Sequence, residues 1–542
     1  MSQTQAPIDC IIVGYNDIDF QSFAEAQKKR SRFSGAYHEV LTNSISYRGD
    51  RVTFVELMNR YIERATGEHP RLNVFEAPAL GVCYLKSFLQ RRGLRAESVN
   101  FFNYDKPRLA ALLKQDPRSV VITTTYYIDH APIVEIVKFV RKHNPNVDII
   151  VGGPHIFNTA SDLDEKTQDL VYRHIGANIY IIDSQGEQSL HRVLEARREG
   201  ASLAEIPNLY YYADGKGHRT ERDVETNDLD QNSIDWSFFD SDAVAPVTYM
   251  RTARSCPFKC SFCNYPTMAG KHVLADIEVV EKEMRQLKAM GTEYLIFIDD
   301  TFNVPLPRFK KLLRMMVDNQ FDFKWVSFFR CANADEEAYD LLKASGCIGV
   351  FLGIESGDQT ILNYMNKSAK VERYRWGVRM LKERGIMTFA SIICGFPGET
   401  EETVRNSMRF IEESGPTFFN VQLYYHDTRA PISRRSEEFG IEGAGYNWRH
   451  NSMDWRGAAE MAKLFLREIE NSIPLSLYGF SLWGIPYLLS KGITLEQIEA
   501  FGELTRNIML DQFKEENAAF PEEDRQLEAL FANYRHPKAV PA

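Results

Sequence analysis

Cysteine is scarce. Eight residues in 542 are too few for a disulfide scaffold. Long apolar runs are missing as well, since none approaches the roughly 18–20 residues that a membrane-crossing helix needs. The opening Met1-Ser-Gln-Thr-Gln-Ala-Pro-Ile8 has neither the basic nor the apolar segment of a secretory signal, so a cytoplasmic chain is expected. Positive charge is in deficit: 64 Lys and Arg against 74 Asp and Glu leave a net charge of −10. That balance argues against a protein devoted to nucleic acid. What remains is ordinary globular composition, 44% hydrophobic and 25% charged, which excludes wholesale disorder. At roughly 150 residues per domain, the length implies three or four domains, or one large barrel with additions.

Hydrophobic patterning divides the chain. Residues 8–15 read as a buried strand ended by glycine. Residues 16–75 mix helix and loop. From Pro78 helices alternate with strands at 96–101, 119–125, 147–151 and 178–182, which predicts a parallel, doubly wound sheet with ligands at the strand carboxyl ends. Residues 208–222 look like a β-hairpin, and the acidic stretch Asp223–Asp242 reads as a linker. Six further strand candidates follow at 247–251, 294–298, 325–330, 349–354, 388–393 and 419–424, separated by helical periodicity. Six βα units suit a partial or full barrel with its chemistry at the strand C-termini. Beyond about residue 446 the pattern turns helical. The expected fold class is therefore α/β: 1–205 a doubly wound domain with an N-terminal extension, 206–242 hairpin and linker, 243–440 a barrel, and 441–542 a helical C-terminal domain.

Three cysteines stand apart from the rest. Cys256, Cys260 and Cys263 lie within eight residues, immediately after the first strand of the second half. Thiolates at this spacing can take three corners of an iron–sulfur cubane from one short loop, leaving one iron open. A zinc knuckle usually needs four ligands in paired form, and no fourth Cys or His lies nearby in sequence. The scattered Cys10, Cys83, Cys331, Cys347 and Cys394 read as small buried hydrophobes.

The loop resembles the signature of the radical S-adenosylmethionine (SAM) superfamily, C-x-x-x-C-x-x-C after barrel strand one. The resemblance implies a [4Fe-4S] cluster on Cys256, Cys260 and Cys263, with SAM at the open iron. It places Phe262 near the adenine. Where the family often has Gly-Gly-Glu for the methionyl ammonium, this chain has Asp299-Asp300-Thr301, so either carboxylate can take that role. Gly353-Ile-Glu355-Ser356 resembles the segment that meets the ribose. Gly395-Phe-Pro397-Gly398-Glu399-Thr400 resembles a turn that packs near the adenine.

The N-terminal half is similar to the cobalamin-binding domain of cobalamin-dependent radical SAM enzymes. The similarity rests on Pro78-Ala-Leu-Gly81, Thr123-Thr124, Gly152-Gly153-Pro154-His155 and Gly186-Glu187. It implies that Thr123, Thr124, Gly152, Gly153, Gly186 and Glu187 lie against cobalamin. The D-x-H-x-x-G string that supplies a cobalt-ligating histidine elsewhere is absent, so His155 is expected to be a turn or hydrogen-bonding residue.

Together these resemblances imply a methyltransferase acting on unactivated positions. SAM serves as methyl source and as source of a 5′-deoxyadenosyl radical, and methylcobalamin is the methyl carrier. An external electron donor of flavodoxin or ferredoxin type is implied, with neither nucleic acid nor membrane as partner. The strings Asp9–Asn16 and Arg251–Cys260 look like those of the P-methyltransferases of phosphinothricin-type antibiotic biosynthesis. The alternatives are C-methylation of a peptide or other secondary metabolite, or cyclisation or oxidation without methyl transfer. An anionic substrate needs a cation beside these carboxylates, for which Arg330 and Arg429 are placed at strand ends, and Tyr424 is a further substrate-site candidate. The C-terminal aromatics Tyr478, Phe480, Trp483 and Tyr487 read as core.

Overall fold

The computed structural model describes residues 7–476 and 480–537. It divides into two compact units, one holding the residues up to Ile18, Phe75–Val244 and Glu278–Met290, and one holding the remainder.

The first unit is built on a seven-stranded sheet. Ala96–Phe101, Cys10–Tyr15, Ser119–Thr123, Asp148–Gly152 and Ile179–Ile181 lie side by side and parallel. Alternate residues of each strand serve opposite cores: Ile11 and Val13 pack into one, Cys10 and Ile12 into the other. Both faces are buried, as parallel sheets require. Numbered along the chain, the parallel strands run 2-1-3-4-5, so the direction of winding switches between Cys10–Tyr15 and Ser119–Thr123.

The segment read as hairpin and linker is integral to this unit. Leu209–Ala213 pairs antiparallel with Ile179–Ile181, and Lys216–Arg219 pairs in turn with Leu209–Ala213. The hairpin thereby covers an edge that the parallel strands would leave open. Residues 223–242 are packed as well. Trp236 is fully buried, its backbone N–H donates to Gln286 Oε1 at 3.1 Å, and the Ile234 backbone N–H donates to Glu283 Oε1 at 3.1 Å.

The second unit holds seven parallel strands in chain order: Val247–Met250, Tyr294–Phe297, Lys324–Phe328, Cys347–Glu355, Met387–Cys394, Phe418–Leu423 and the short Ile473–Pro474. The first and last strands do not pair, so the sheet is an open, partial barrel. The first six strands coincide with the sequence expectation to within about two residues at each end; the two-residue seventh carries no periodic signal. Helices Leu306–Asp318, Glu336–Ala344, Val371–Glu383 and Glu401–Ser414 connect the strands. The last of these starts at a capping box on Thr400 and ends at Gly415 in the left-handed region.

Residues 19–74, expected with the first domain, cluster with this second unit, as does the helical C-terminal region. Side-chain contacts account for both. Phe54 stacks on Phe480, with ring centres 6.3 Å apart, and the Tyr61 hydroxyl donates to Asp524 at 2.7 Å. Trp483 lies flat over Phe351 at 5.9 Å and edge-on to Phe328 at 4.5 Å, filling the inner face of the sheet. Phe480 and Tyr487 are buried core residues, whereas Tyr478 lies outside the described residues.

Candidate functional site

The cysteine loop is held at several points. Asp299, buried at the end of the second strand, accepts the Thr252 N–H at 2.7 Å, the Thr252 hydroxyl at 2.5 Å and the Ala253 N–H at 3.0 Å. Ala253–Arg254 pairs with Val273–Leu274, which returns the chain past the loop. Ser255 then adopts φ +67°, turning the backbone directly before Cys256. On the far side the Ser261 N–H donates to Met365 O and its hydroxyl to Tyr364 O, both at 2.8 Å. The Asn366 side chain donates to Lys259 O at 2.7 Å.

The three thiols share one cavity of about 210 Å³ at the carboxyl ends of the first four strands. Cys256 Sγ lies 2.9 Å from the Thr301 hydroxyl. Burial, reinforced by the neighbouring Cys260 and Cys256 thiols and by Asp300, pushes the Cys263 thiol up to about 11. The Cys263 thiol therefore resists ionising by itself and would ionise on meeting cationic iron, since the thiolate is the metal-binding form. Among the described residues no three His, Cys, Asp or Glu groups converge as they would on a single ion. Separated thiols on one short loop fit a multi-iron cluster, in which each sulfur takes its own iron.

Charged groups of both signs line the same cavity. Asp300 opens onto it, its carboxyl pushed up to about 6 by the surrounding protein and by Asp299. Glu355 closes the fourth strand at a bulge, with φ +63°, and its Oε1 receives Lys367 Nζ at 2.8 Å. A left-handed glutamate costs of order 1–3 kcal/mol and persists only where surrounding contacts enforce it; here the buried ion pair does so. Arg330 is buried, its Nε donates to Asn333 Oδ1 at 3.0 Å, and its guanidinium lies 3.7 Å from the Phe258 ring centre. Its Nη2 has no hydrogen-bond partner.

The remaining expected residues separate by position. Phe262 lines the cavity and meets Phe396 edge-on at 6.5 Å, which ties the Gly395–Thr400 turn to the site. Gly395 and Gly398 have φ of +93° and +92°. A Cβ on Gly395 would come within 2.5 Å of Trp448, so chain packing already demands glycine there. Pro397 and Ser356 do not line the cavity; the Ser356 hydroxyl is spent on Ser407 and on the Asp358 N–H. Tyr424 is buried against Phe396 and Trp448 outside the cavity, and Arg429 pairs with Asp427 at 3.1 Å. Of the two arginines placed near the substrate from sequence, the structure brings only Arg330 to the cavity, because the chain turns away after the sixth strand. Lys367 and Tyr374 line it without having been anticipated. No local pattern marks them.

In the first unit, Gly14, Ala79, Gly81 and Thr123 line a cleft of about 20 Å³ at the winding switch, the place where ligands of such sheets bind. The Thr124 hydroxyl donates to Gly152 O at 2.9 Å and accepts the His155 N–H at 3.2 Å. Gly153 has φ +107°, and a Cβ there would approach that hydroxyl to 2.9 Å. Gly186, at φ +70°, begins helix Glu187–Glu199, and Glu187 accepts the Asn227 amide at 2.5 Å. His155 Nε2 is buried without a partner, and burial lowers the basicity of its ring. The cleft is also walled by Tyr15, Val82, Thr125, Tyr126 and Tyr127, and of the residues expected against cobalamin only Thr123 lines it.

Residues 250–411 match the radical SAM superfamily. An uncharacterized methyltransferase of Pyrococcus horikoshii is 26% identical over 371 residues, 65% of this chain and 77% of that protein. An anaerobic magnesium-protoporphyrin IX monomethyl ester cyclase of Rubrivivax gelatinosus is 26% identical over 320 residues, 55% of this chain and only 54% of that one. The fold is shared with the radical SAM methyltransferase TsrM of Kitasatospora setae, solved with tryptophan and a SAM analogue (TM-score 0.55, 18% identity, 83% of this chain and 98% of that one). It is also shared with the cobalamin-dependent radical SAM enzyme OxsB, solved with aqua-cobalamin (TM-score 0.57, 13% identity, 86% and 80%).

Proposed function

We propose that this chain is a cobalamin-dependent radical SAM methyltransferase that methylates an anionic small molecule, a phosphinate phosphorus or a carbon beside such a group. The observation that carries the reading is the single cavity in which Cys256, Cys260 and Cys263 meet Asp300, Arg330, Glu355 and Lys367. When bound, the iron–sulfur cluster and SAM supply one-electron chemistry at the cavity, and cobalamin supplies the transferable methyl group.

The chain's own residues position and shield. Asp299 fixes the entry to the cysteine loop, which sets where the three sulfurs stand. Asp300 meets the Tyr265 side chain but holds no backbone amide across the loop, and it is the carboxylate proposed to receive a methionyl ammonium. Phe262 offers an aromatic face, and Lys367 reaches Glu355 at one side of the cavity. Arg330 keeps its Nη2 group uncommitted, and a guanidinium matches two oxygens of one anionic group. In the first unit Thr123, Thr124, Gly152, Gly153, Gly186 and Glu187 are proposed to hold cobalamin, with no histidine nitrogen on cobalt.

The deciding experiment is anaerobic reconstitution with iron, sulfide, SAM, cobalamin and a flavodoxin-type reductant, with mass spectrometry of products from a panel of phosphinates and uncharged analogues. Methylation confined to the anionic members is expected. In Arg330→Met, methylated product should fall at least tenfold while SAM cleavage continues. Equal methylation of charged and uncharged members by both proteins would remove the anionic-substrate assignment.

A further inference from the structure

A second cavity of the same unit takes no part in the site above. It encloses about 200 Å³ at the edge of the sheet, between the sixth and seventh strands and helices Gly35–Thr42, Trp455–Glu468 and Leu495–Lys514. Its walls include Phe54, Phe480 and several aliphatic side chains, and among the described residues no lysine, arginine or histidine lines it.

The polar groups in it are unevenly satisfied. Four of its donors are committed: Ser476 Oγ to Asn43 Oδ1 at 2.8 Å, Thr505 Oγ1 to Phe501 O at 2.8 Å, Thr42 Oγ1 to Glu39 O at 3.2 Å and Asn43 Nδ2 to Glu39 O at 2.9 Å, while the side-chain amides of Asn420 and Gln422, which also line it, make no hydrogen bond among the described residues. Two of its acceptors are poorly met. Glu39 is more than nine-tenths buried, yet its Oε1 accepts only the Leu423 N–H, at 3.3 Å, and its Oε2 has only Asn43 Nδ2 at 3.5 Å. It makes no ion pair. Asn420 Oδ1, equally buried, accepts nothing. Burial pushes the Glu39 carboxyl up to about 7, offset in part by the Leu423 amide. The neighbouring His38, Lys463 and Glu460 interact with one another and do not line the cavity.

A buried carboxyl without a cation is costly to ionise and expensive to leave unpaired. A buried carboxyl that lacks a cation, with an amide oxygen beside it, suits a cationic group with three donors and no acceptor. We propose that this cavity binds a primary ammonium group carried on a small apolar body, with Glu39 as its counter-ion and Asn420 Oδ1 as a second acceptor. The register also relates it to the cysteine cavity. Gly353, which lines that cavity, pairs with Ser391, and Ser391 pairs with Asn420, so the two stand on one face two strands apart, roughly 10 Å. The ammonium site does not depend on the function read above.

The test is calorimetric titration of the reconstituted full-length protein with phenethylammonium and, separately, with the uncharged 2-phenylethanol, near pH 6 in buffers of differing ionisation enthalpy. The amine is expected to bind at least tenfold more tightly than the alcohol. Its binding should release close to one proton, because the neutral Glu39 carboxyl ionises against the ligand. Glu39→Gln should lose the tenfold preference and the proton release while keeping alcohol binding. Proton release in the unaltered protein gives an answer even if the variant folds poorly. Equal affinity for amine and alcohol, no proton release, or no binding of either probe at millimolar concentration would each overturn the proposal. SAM cleavage, measured on the same preparation, reports separately on the reaction assigned to the cysteine cavity.

Discussion

Replacing the two adjacent aspartates one at a time should produce opposite failures. Asp299→Ala removes the acceptor of three hydrogen bonds and leaves the Thr252 and Ala253 donors buried and unmet. Hydrogen bonds to a charged group contribute about 1.5–3 kcal/mol each, but a network loses less than the sum because neighbours relax. Each buried donor left without an acceptor costs about 1–3 kcal/mol, and the three together cost about 3–4 kcal/mol once neighbours relax. At about 1.4 kcal/mol per decade, the Thr252 and Ala253 amides should exchange with solvent roughly 100- to 1,000-fold faster. The cluster should then load poorly, because those two residues lead into Cys256. Asp300→Asn, by contrast, removes no backbone contact across the loop. It should leave amide exchange and iron content unchanged and weaken SAM binding at least tenfold. Hydrogen exchange by mass spectrometry, iron analysis and SAM titration on both variants decide the matter. If Asp299→Ala retains amide protection and iron while Asp300→Asn loses them, the division of labour argued here is wrong.

Three further outcomes are expected. Alanine at Cys256, Cys260 or Cys263 should each abolish stable iron–sulfur absorbance after reconstitution, whereas Cys331→Ala, at the same cavity but buried and with its thiol held protonated by burial, should retain it. Glu399 is buried and its carboxyl is pushed up to about 8 by burial, well above the unfolded value near 4.5. The native state therefore holds a proton that the unfolded chain releases, so this group's contribution is fully present below pH 4.5 and is lost as pH rises toward 8. Urea midpoints of Glu399→Gln relative to the unaltered protein should rise between pH 5.5 and 8 and then level off; a pH-independent difference contradicts this. Paramagnetic resonance of the cob(II)alamin-loaded protein should show no protein-nitrogen splitting that depends on His155, and His155→Ala should leave the spectrum unchanged.

The sequence by itself determined what is local. Strand positions in both sheets follow from short apolar runs bounded by glycine and helix signals, because each strand must bury two faces. The three cysteines were legible for a similar reason: their spacing is a property of one loop, and the loop follows directly from a strand. Short motifs such as Gly353–Ser356 and Gly395–Thr400 located the ends of further strands on the same terms. Long-range association was not legible. Residues 16–75 carry ordinary amphipathic patterns that do not say which partner they cover, and only tertiary packing joined Phe54 to Phe480 and Tyr61 to Asp524. The adjacent Asp299 and Asp300 are chemically identical in sequence. A strand end turns one inward onto backbone amides and leaves the other open to the cavity. Arg330 and Arg429 were equivalent cations until the chain folded one beside the thiols and paired the other with Asp427. Lys367, Tyr374 and Glu39 acquire their chemistry entirely from surroundings that are distant in sequence. Periodicity and spacing record what a residue does with its neighbours along the chain, whereas burial, pairing and shared cavities depend on contacts that only the folded chain makes.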